Sequence, residues 1–371
     1  MKSILIGKKY MKNFSVKYMK KNLNMEKVKI ICTLGPASFS KPILKLLSKE
    51  KVDIFRINLS HTNTDQIEKK IKYLKQNNIK NICIDTEGAQ IRTTHTKKIY
   101  FIKKNSKIKI YNKNNISNDK KIYLYPYFDL NYLEVGTKID IGFNNLSIKV
   151  VKKNSLKGYL LCKVLNEGYL DSKKGVHIHS KINLPCLTQK DRYALKLARE
   201  LRIKYYAISF VNSHKDLKEV KKITGNNSFI ISKIETENAI INLDKITKNS
   251  DALLIDRGDL SRYVPIEKIP MAQENIINRS IKLSKPTYVA TNLLESMIKE
   301  NQATRAESHD IYSTLKEGAK GLVLAAETAI GKNPIECVRF IKRCITVYKR
   351  NKNKQILNGK NEKNYLFRST P

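Results

Sequence analysis

No stretch of this 371-residue chain approaches the roughly 18 consecutive apolar residues that a membrane span needs, so a membrane partner is not expected. Neither a GxxxxGK[ST] loop nor a GxGxxG loop occurs, which removes the two commonest glycine-rich phosphate cradles. No internal repeat of the solenoid kind is visible. Cysteine is sparse: Cys32, Cys83, Cys162, Cys186, Cys337 and Cys344 lack zinc-type pair spacing. Several lie inside apolar strand-like runs, such as Ile30-Ile31-Cys32 and Ile82-Cys83-Ile84, and read as buried thiols in a reducing compartment. His95, His177, His179, His214 and His309 likewise have no convincing ligand partner in the sequence.

Acidic residues are also scarce, 33 against 72 Lys and Arg, for a formal net charge of +39. Such a charge can attract nucleic acid, an anionic membrane or a phosphorylated substrate. The blander account is compositional drift, because Lys, Asn and Ile are over-used along the whole chain, as in AT-rich coding sequence. No run interleaves aromatic and basic residues as an RNA-binding sheet would, so a nucleic-acid partner is not expected. A positive surface would still help recruit anionic substrates. With 41% hydrophobic and 28% charged residues the composition is globular rather than disordered.

Residues 1–24 hold many Lys and no acid, which suits an organellar transit segment. A start at or near Met25 is the favoured alternative, with Met11 and Met19 as others, and a cytoplasmic location is then expected. From there, apolar runs alternate with amphipathic stretches at roughly 25–30-residue intervals, the spacing of βα units. Strands are expected at Lys27–Thr33, Ile54–Asn58, Ile82–Asp85, Tyr205–Phe210, Ile230–Ile234, Ala252–Ile255, Thr287–Ala290 and Gly321–Leu324. Helices are expected at Ala272–Leu283 and Glu307–Glu317, with Thr304, Asp310 and Asn333-Pro334 giving cap or turn chemistry. The count is that of an α/β protein with a (β/α)₈ TIM barrel. Barrel residues occupy 26–94 and 185–350, after a basic extension (1–25) and before a polar tail (351–371). Between them, residues 95–184 change to short β-type runs at Lys107–Tyr111, Lys138–Ile141, Leu146–Val151 and Tyr159–Val164. An all-β insert on a βα loop is placed to act as a lid over the active face.

The chemistry concentrates at strand ends. In Ser232-Lys233-Ile234-Glu235, Lys233 and Glu235 are two apart and leave the strand on one side, toward the barrel mouth. Asp259 follows one βα unit later, and two carboxylates on adjacent strand ends make a seat for Mg²⁺. A Lys beside them can neutralise a transferring phosphoryl group. Arg56, Asn58 and Ser60 share a face in Arg56-Ile57-Asn58-Leu59-Ser60-His61. The Arg suits phosphate and the oxygens suit a cation. Asp85-Thr86 adds a carboxylate and a hydroxyl, and a short turn after Gly258 and Asp259 could present N–H groups to a carboxylate. Taken singly, each of these is more often a surface ion pair than a site.

Together with Ile31-Cys32-Thr33-Leu34-Gly35-Pro36-Ala37-Ser38, Ile91-Arg92-Thr93, Ser172-Lys173-Lys174-Gly175-Val176, Arg257-Gly258-Asp259-Leu260, Ala290-Thr291-Asn292-Leu293-Leu294-Glu295-Ser296-Met297 and Glu327-Thr328-Ala329, these motifs stand in the order seen in pyruvate kinase. From about Lys27 to Tyr348 the chain resembles that family. The resemblance implies phosphoryl transfer from phosphoenolpyruvate to ADP. It implies Lys233 at the transferring phosphoryl group, Thr291 at proton delivery and Arg56 at phosphate. It further implies Gly258, Asp259, Arg92 and Lys174 at substrate, Glu235 and Asp259 on Mg²⁺ or Mn²⁺, and Asn58, Ser60, Asp85 and Thr86 on K⁺. A homo-oligomer through the barrel stays open.

Several positions depart from the family's pattern. Lys-Gly-Pro-Glu becomes Glu87-Gly88-Ala89-Gln90, which sets a negative charge beside a phosphate site and removes a carboxylate linked with the K⁺ response. The lid's Asp-Asp-Gly becomes Gly142-Phe143-Asn144, the Gly and Glu after Gly-Asp-Leu become Ser261 and Tyr263, and an Arg after Ser-Phe-Val becomes Asn212. The family's C-terminal domain has no counterpart here, so effector control through it is not expected. Three outcomes stay open: a slow or streamlined pyruvate kinase, a Mg-dependent pyruvate-forming lyase, and a catalytically silent paralogue that binds or regulates.

Overall fold

The computed structural model describes residues 27–357 apart from 143–145, 181 and 183. The basic extension with Met25, the lid residues Phe143 and Asn144, and the tail beyond Leu357 lie outside the described residues. Strands β1 (Lys29–Thr33), β2 (Ile54–Asn58) and β3 (Ile82–Asp85) open the barrel. The lid carries β4 (Arg92–Thr93), β5 (Tyr100–Ile102), β6 (Lys107–Tyr111), β7 (Lys121–Tyr125), β8 (Lys138–Ile141), β9 (Leu146–Asn154), β10 (Tyr159–Asn166), β11 (Gly168–Leu170) and β12 (Val176–Ile178). The barrel resumes with β13 (Tyr205–Ile208), β14 (Phe229–Ile234), β15 (Ala252–Asp256), β16 (Thr287–Ala290) and β17 (Gly321–Leu324). The eight barrel strands close in the order β1-β17-β16-β15-β14-β13-β3-β2 and pair in parallel.

Strand periodicity sorts the barrel side chains into two layers. Ile31, Ile54, Cys83, Ala207, Ile231, Ala252, Leu254, Tyr288, Ala290 and Val323 fill the interior as one small apolar cluster. Their strand neighbours, such as Ile30, Phe55, Ile84, Ile230, Leu253 and Leu322, pack outward under the helices in the largest cluster. Four of the expected barrel-strand bounds shift by a residue or two. Phe210, expected as the last residue of a strand, instead has φ +52° beyond β13.

The helices begin where caps allow. Thr304 makes a reciprocal capping box with Glu307, and Thr188 makes another with Asp191. Asp310, expected as a cap, lies inside helix Arg305–Glu317 and ion-pairs with Arg257 at 2.7 Å. Helix Pro334–Leu357 carries on through the first residues of the expected polar tail. No helix among the described residues is long and apolar enough to cross a membrane.

The lid holds its own apolar core, built from Ile108, Ile110, Ile122, Ile139, Ile148, Leu160 and their neighbours. Its strands form a seven-stranded sheet in the order β12-β8-β9-β10-β6-β7-β4 and a two-stranded one, β11-β5. It springs from the loop after β3, and β4 and β12 return it to the mouth. The six cysteines are free thiols, five of them buried.

Candidate active site

The interior layer sets the site by continuation. Two residues beyond the apolar ring, the same parity delivers Arg56 on β2, Asp85 on β3, Lys233 on β14 and Asp256 on β15 into the mouth. Parity on β13 likewise carries Ala207 to Ser209 just past its end. Lys233 Nζ lies 2.7 Å from Glu235, 3.2 Å from Asp256 and 3.6 Å from Asp85, and it donates to Ser209 Oγ at 3.1 Å. Arg56 donates to Asp85 at 3.0 Å and to Thr33 Oγ1 at 2.8 Å. Lys233, Arg56, Asp85 and Glu235 are all buried.

Charge in this cluster does not balance. Lys233 and Arg56 face four carboxylates, Asp85, Glu235, Asp256 and Asp259. Oxygens of Glu235, Asp256 and Asp259 all come within 4.8 Å of one another, which suits a hard divalent cation. Burial, reinforced by Asp259 and Asp256 and opposed by Lys233, pushes the Glu235 carboxyl up to about 8. Burial and Asp256 raise Asp259 too. Lys233 moves well above its ordinary value, because the three carboxylates outweigh the burial that opposes its charge. A divalent cation would remove the excess negative charge, so the donor set fits Mg²⁺ or Mn²⁺. Asp256 was not singled out from the sequence, although it lies on the inward parity of Ala252 and Leu254.

Two residues at the mouth hold backbone that ordinary side chains avoid. Thr291 has φ +76° and Asn292 φ +57°, in the left-handed region. Arg257 fixes this turn by donating from Nε and Nη2 to the Thr291 carbonyl at 3.2 and 2.7 Å. The Thr291 hydroxyl donates to Asp256 at 2.6 Å, which brings it to the carboxylate cluster. Gly258 packs against it, with room for a Cβ only 3.0 Å from Thr291 Cγ2.

The rim is cationic. His61 falls below its ordinary value through burial and then through Arg92, Lys173, Lys190 and Arg56. Arg92 donates to the Lys173 carbonyl at 3.2 Å and faces the Asp259 side of the mouth. Lys174, expected at substrate, turns to Asp171 at 3.3 Å. Among the residues expected around K⁺, Asp85 stands in the cluster. Asn58 Oδ1 accepts the Ser60 N–H, and Thr86 Oγ1 accepts the Ser209 N–H. Each oxygen keeps a second lone pair.

The Glu87 charge is compensated locally, contrary to the bare reading of the sequence. Lys190 donates to its carboxylate at 2.9 Å and Thr188 at 3.0 Å. The loop itself hangs on Asp191, fully buried, which accepts the N–H groups of Glu87 (2.9 Å), Gly88 (3.1 Å) and Thr188 (3.0 Å). Asp191 was not singled out from the sequence. Asp191→Ala strands three amides at once and is expected to lower stability by about 2–4 kcal/mol, read from the urea midpoint.

The sequence profile described as "Pyruvate kinase, barrel domain" matches residues 25–338. A "Pyruvate kinase" of Staphylococcus epidermidis is 32% identical over 330 residues, covering 86% of this chain and 56% of that protein. One of Staphylococcus haemolyticus is 33% identical over 331 residues, with the same shares. "Pyruvate kinase isozyme G, chloroplastic" of Nicotiana tabacum is 32% identical over 325 residues, 85% of this chain and 58% of its own. The chain thus spans a little over half the length of these relatives.

Proposed function

The chain belongs to the pyruvate kinase family, and on that premise we propose that it transfers the phosphoryl group of phosphoenolpyruvate to ADP, giving pyruvate and ATP. The observation that carries this reading is the buried Lys233 among Asp85, Glu235 and Asp256, beneath a cationic rim. Such an arrangement suits a substrate with a phosphate and a carboxylate held through a divalent cation.

Glu235 and Asp259, with Asp256 beside them, would hold Mg²⁺ or Mn²⁺, which supplies positive charge to the carboxylate and the enol oxygen. Lys233 neutralises the phosphoryl group as the bond from phosphorus to the enol oxygen breaks and one to a β-phosphate oxygen of ADP forms. Arg56 and Arg92 bind and orient phosphate. Thr291, whose hydroxyl already bonds to Asp256, sits to deliver the proton that the enolate carbon takes up. Asp85 with Asn58, Ser60 and Thr86 would take K⁺. ADP would lie between barrel and lid.

The discriminating experiment is pyruvate release from phosphoenolpyruvate with Mg²⁺, in the presence and absence of ADP and of K⁺. Release that requires ADP supports the kinase. Release without ADP replaces it with a pyruvate-forming lyase, and no release by folded protein favours a silent binding paralogue. A rate independent of K⁺ would show that Gln90 has removed the monovalent requirement.

A further inference from the structure

We propose that Arg262 is a built-in counter-ion of Asp259 which an incoming divalent cation has to displace. This rests on the reading of Glu235, Asp256 and Asp259 as metal ligands.

Arg262 stands between Ser261 and Tyr263, the two positions where the family resemblance leads one to expect Gly and Glu. The single helical turn Arg257–Leu260 continues into it, and its N–H donates to the Asp259 carbonyl at 3.2 Å. Its side chain then folds back, bringing Nε to 3.4 Å from Asp259 Oδ1, the same oxygen that Gln90 Nε2 approaches at 3.4 Å. Only 15% of the Arg262 side chain is exposed. A guanidinium keeps its charge across the whole physiological range. Largely buried as it is, this one therefore neutralises part of the excess negative charge whenever the metal is away.

The guanidinium also leans on the lid. A Cβ on Gly175 would come within 2.0 Å of Arg262 Nη1, so the side chain passes over bare backbone at that point. The Gly175 carbonyl in turn accepts the Gly142 N–H at 2.8 Å, and Gly175 bridges to Arg92. Next along the chain, Tyr263 meets His177 edge-on at 4.8 Å, and His179 beyond it bonds to Asp140 at 2.6 Å. The turn 261–263 therefore touches the lid at two points beside a cavity of about 280 Å³ that both Gly175 and Arg262 line.

A cation that binds Asp259 must move a positive charge from about hydrogen-bonding range and disturb the contact with Gly175. The consequence is a weaker intrinsic metal affinity than the three carboxylates would otherwise give. Removing the guanidinium should restore it.

The test is Mn²⁺ titration of the whole chain without substrates, with free Mn²⁺ read by electron paramagnetic resonance. Arg262→Gln is expected to bind Mn²⁺ at least about tenfold more tightly than the unmodified protein, the scale of one unit charge at this distance under full water screening. Arg262→Met, which keeps an apolar stem over Gly175, should behave the same way, and Arg262→Lys should stay close to the unmodified affinity. Equal or weaker binding in both neutral variants overturns the proposal and leaves the metal reading standing. Absence of Mn²⁺ binding in all four proteins overturns the metal reading and the proposal together.

Discussion

Lys233→Met is expected to reduce phosphoryl transfer at least about a thousandfold, because it removes the buried cation shared by Asp85, Glu235 and Asp256 at the reacting groups. The same change acts on the fold. Asp85, Glu235 and Asp256 lose their shared partner, and breaking a buried ion pair from one side costs roughly 3–5 kcal/mol before the carboxylates respond by taking up protons. The variant should therefore melt earlier than the unmodified protein in chelator and recover much of the difference on adding Mg²⁺. Turnover measured at saturating Mg²⁺, at a temperature where both proteins are folded, separates the two effects. Undiminished turnover in the variant would dismiss Lys233 as the group that meets the phosphoryl oxygens.

Glu235→Gln should do the opposite to stability while also ending activity. Burial, with Asp259 and Asp256 nearby, holds the Glu235 carboxyl at about 8 against an ordinary 4.5. The folded chain thus binds this proton more tightly than the unfolded chain does. Its contribution to stability is fully present below about 4.5 and is lost as pH rises through about 8. Glutamine is neutral at every pH and retains an acceptor for the Phe210 N–H, now bonded to Glu235 Oε2 at 2.7 Å. Without metal, the variant should match the unmodified protein near pH 5 and melt higher at pH 8.5. With Mg²⁺ the order should reverse at pH 8.5, since only the carboxylate gains from the ion. Parallel melting curves at both pH values would mean that the site carries no excess charge.

Much of this was legible in the sequence, for a reason of geometry. Barrel strands are short, buried on both faces and bounded by polar turns, so Ile54–Asn58, Ile82–Asp85, Thr287–Ala290 and Gly321–Leu324 appear at the expected bounds. The period of two in Lys233-Ile234-Glu235 and in Arg56-Ile57-Asn58 puts those polar groups on the inner face.

What the sequence obscured falls into two kinds. The lid strands Tyr100–Ile102, Lys121–Tyr125, Gly168–Leu170 and Val176–Ile178 are too short to show a clear alternation, and their apolar side appears only once the second sheet core is assembled. The remaining omissions concern pairs distant in sequence. Asp191 receives the Glu87 loop from 104 residues away. Arg262, on the turn after β15, meets Gly175 of the lid. Lys190 quiets a charge at Glu87 that looked damaging in isolation. Asp256 alone could have been found earlier, by counting inward positions along β15.

Phosphorus-31 NMR of phosphoenolpyruvate, ADP and Mg²⁺ with the unmodified protein, alongside Lys233→Met, tests the central claim most directly. The phosphoenolpyruvate resonance should decay as the γ-phosphate of ATP grows in equal amount, and neither should change with the variant. A folded, Mg²⁺-saturated unmodified protein that leaves the phosphoenolpyruvate signal intact, or releases it as inorganic phosphate, would contradict the assignment of this barrel to phosphoryl transfer.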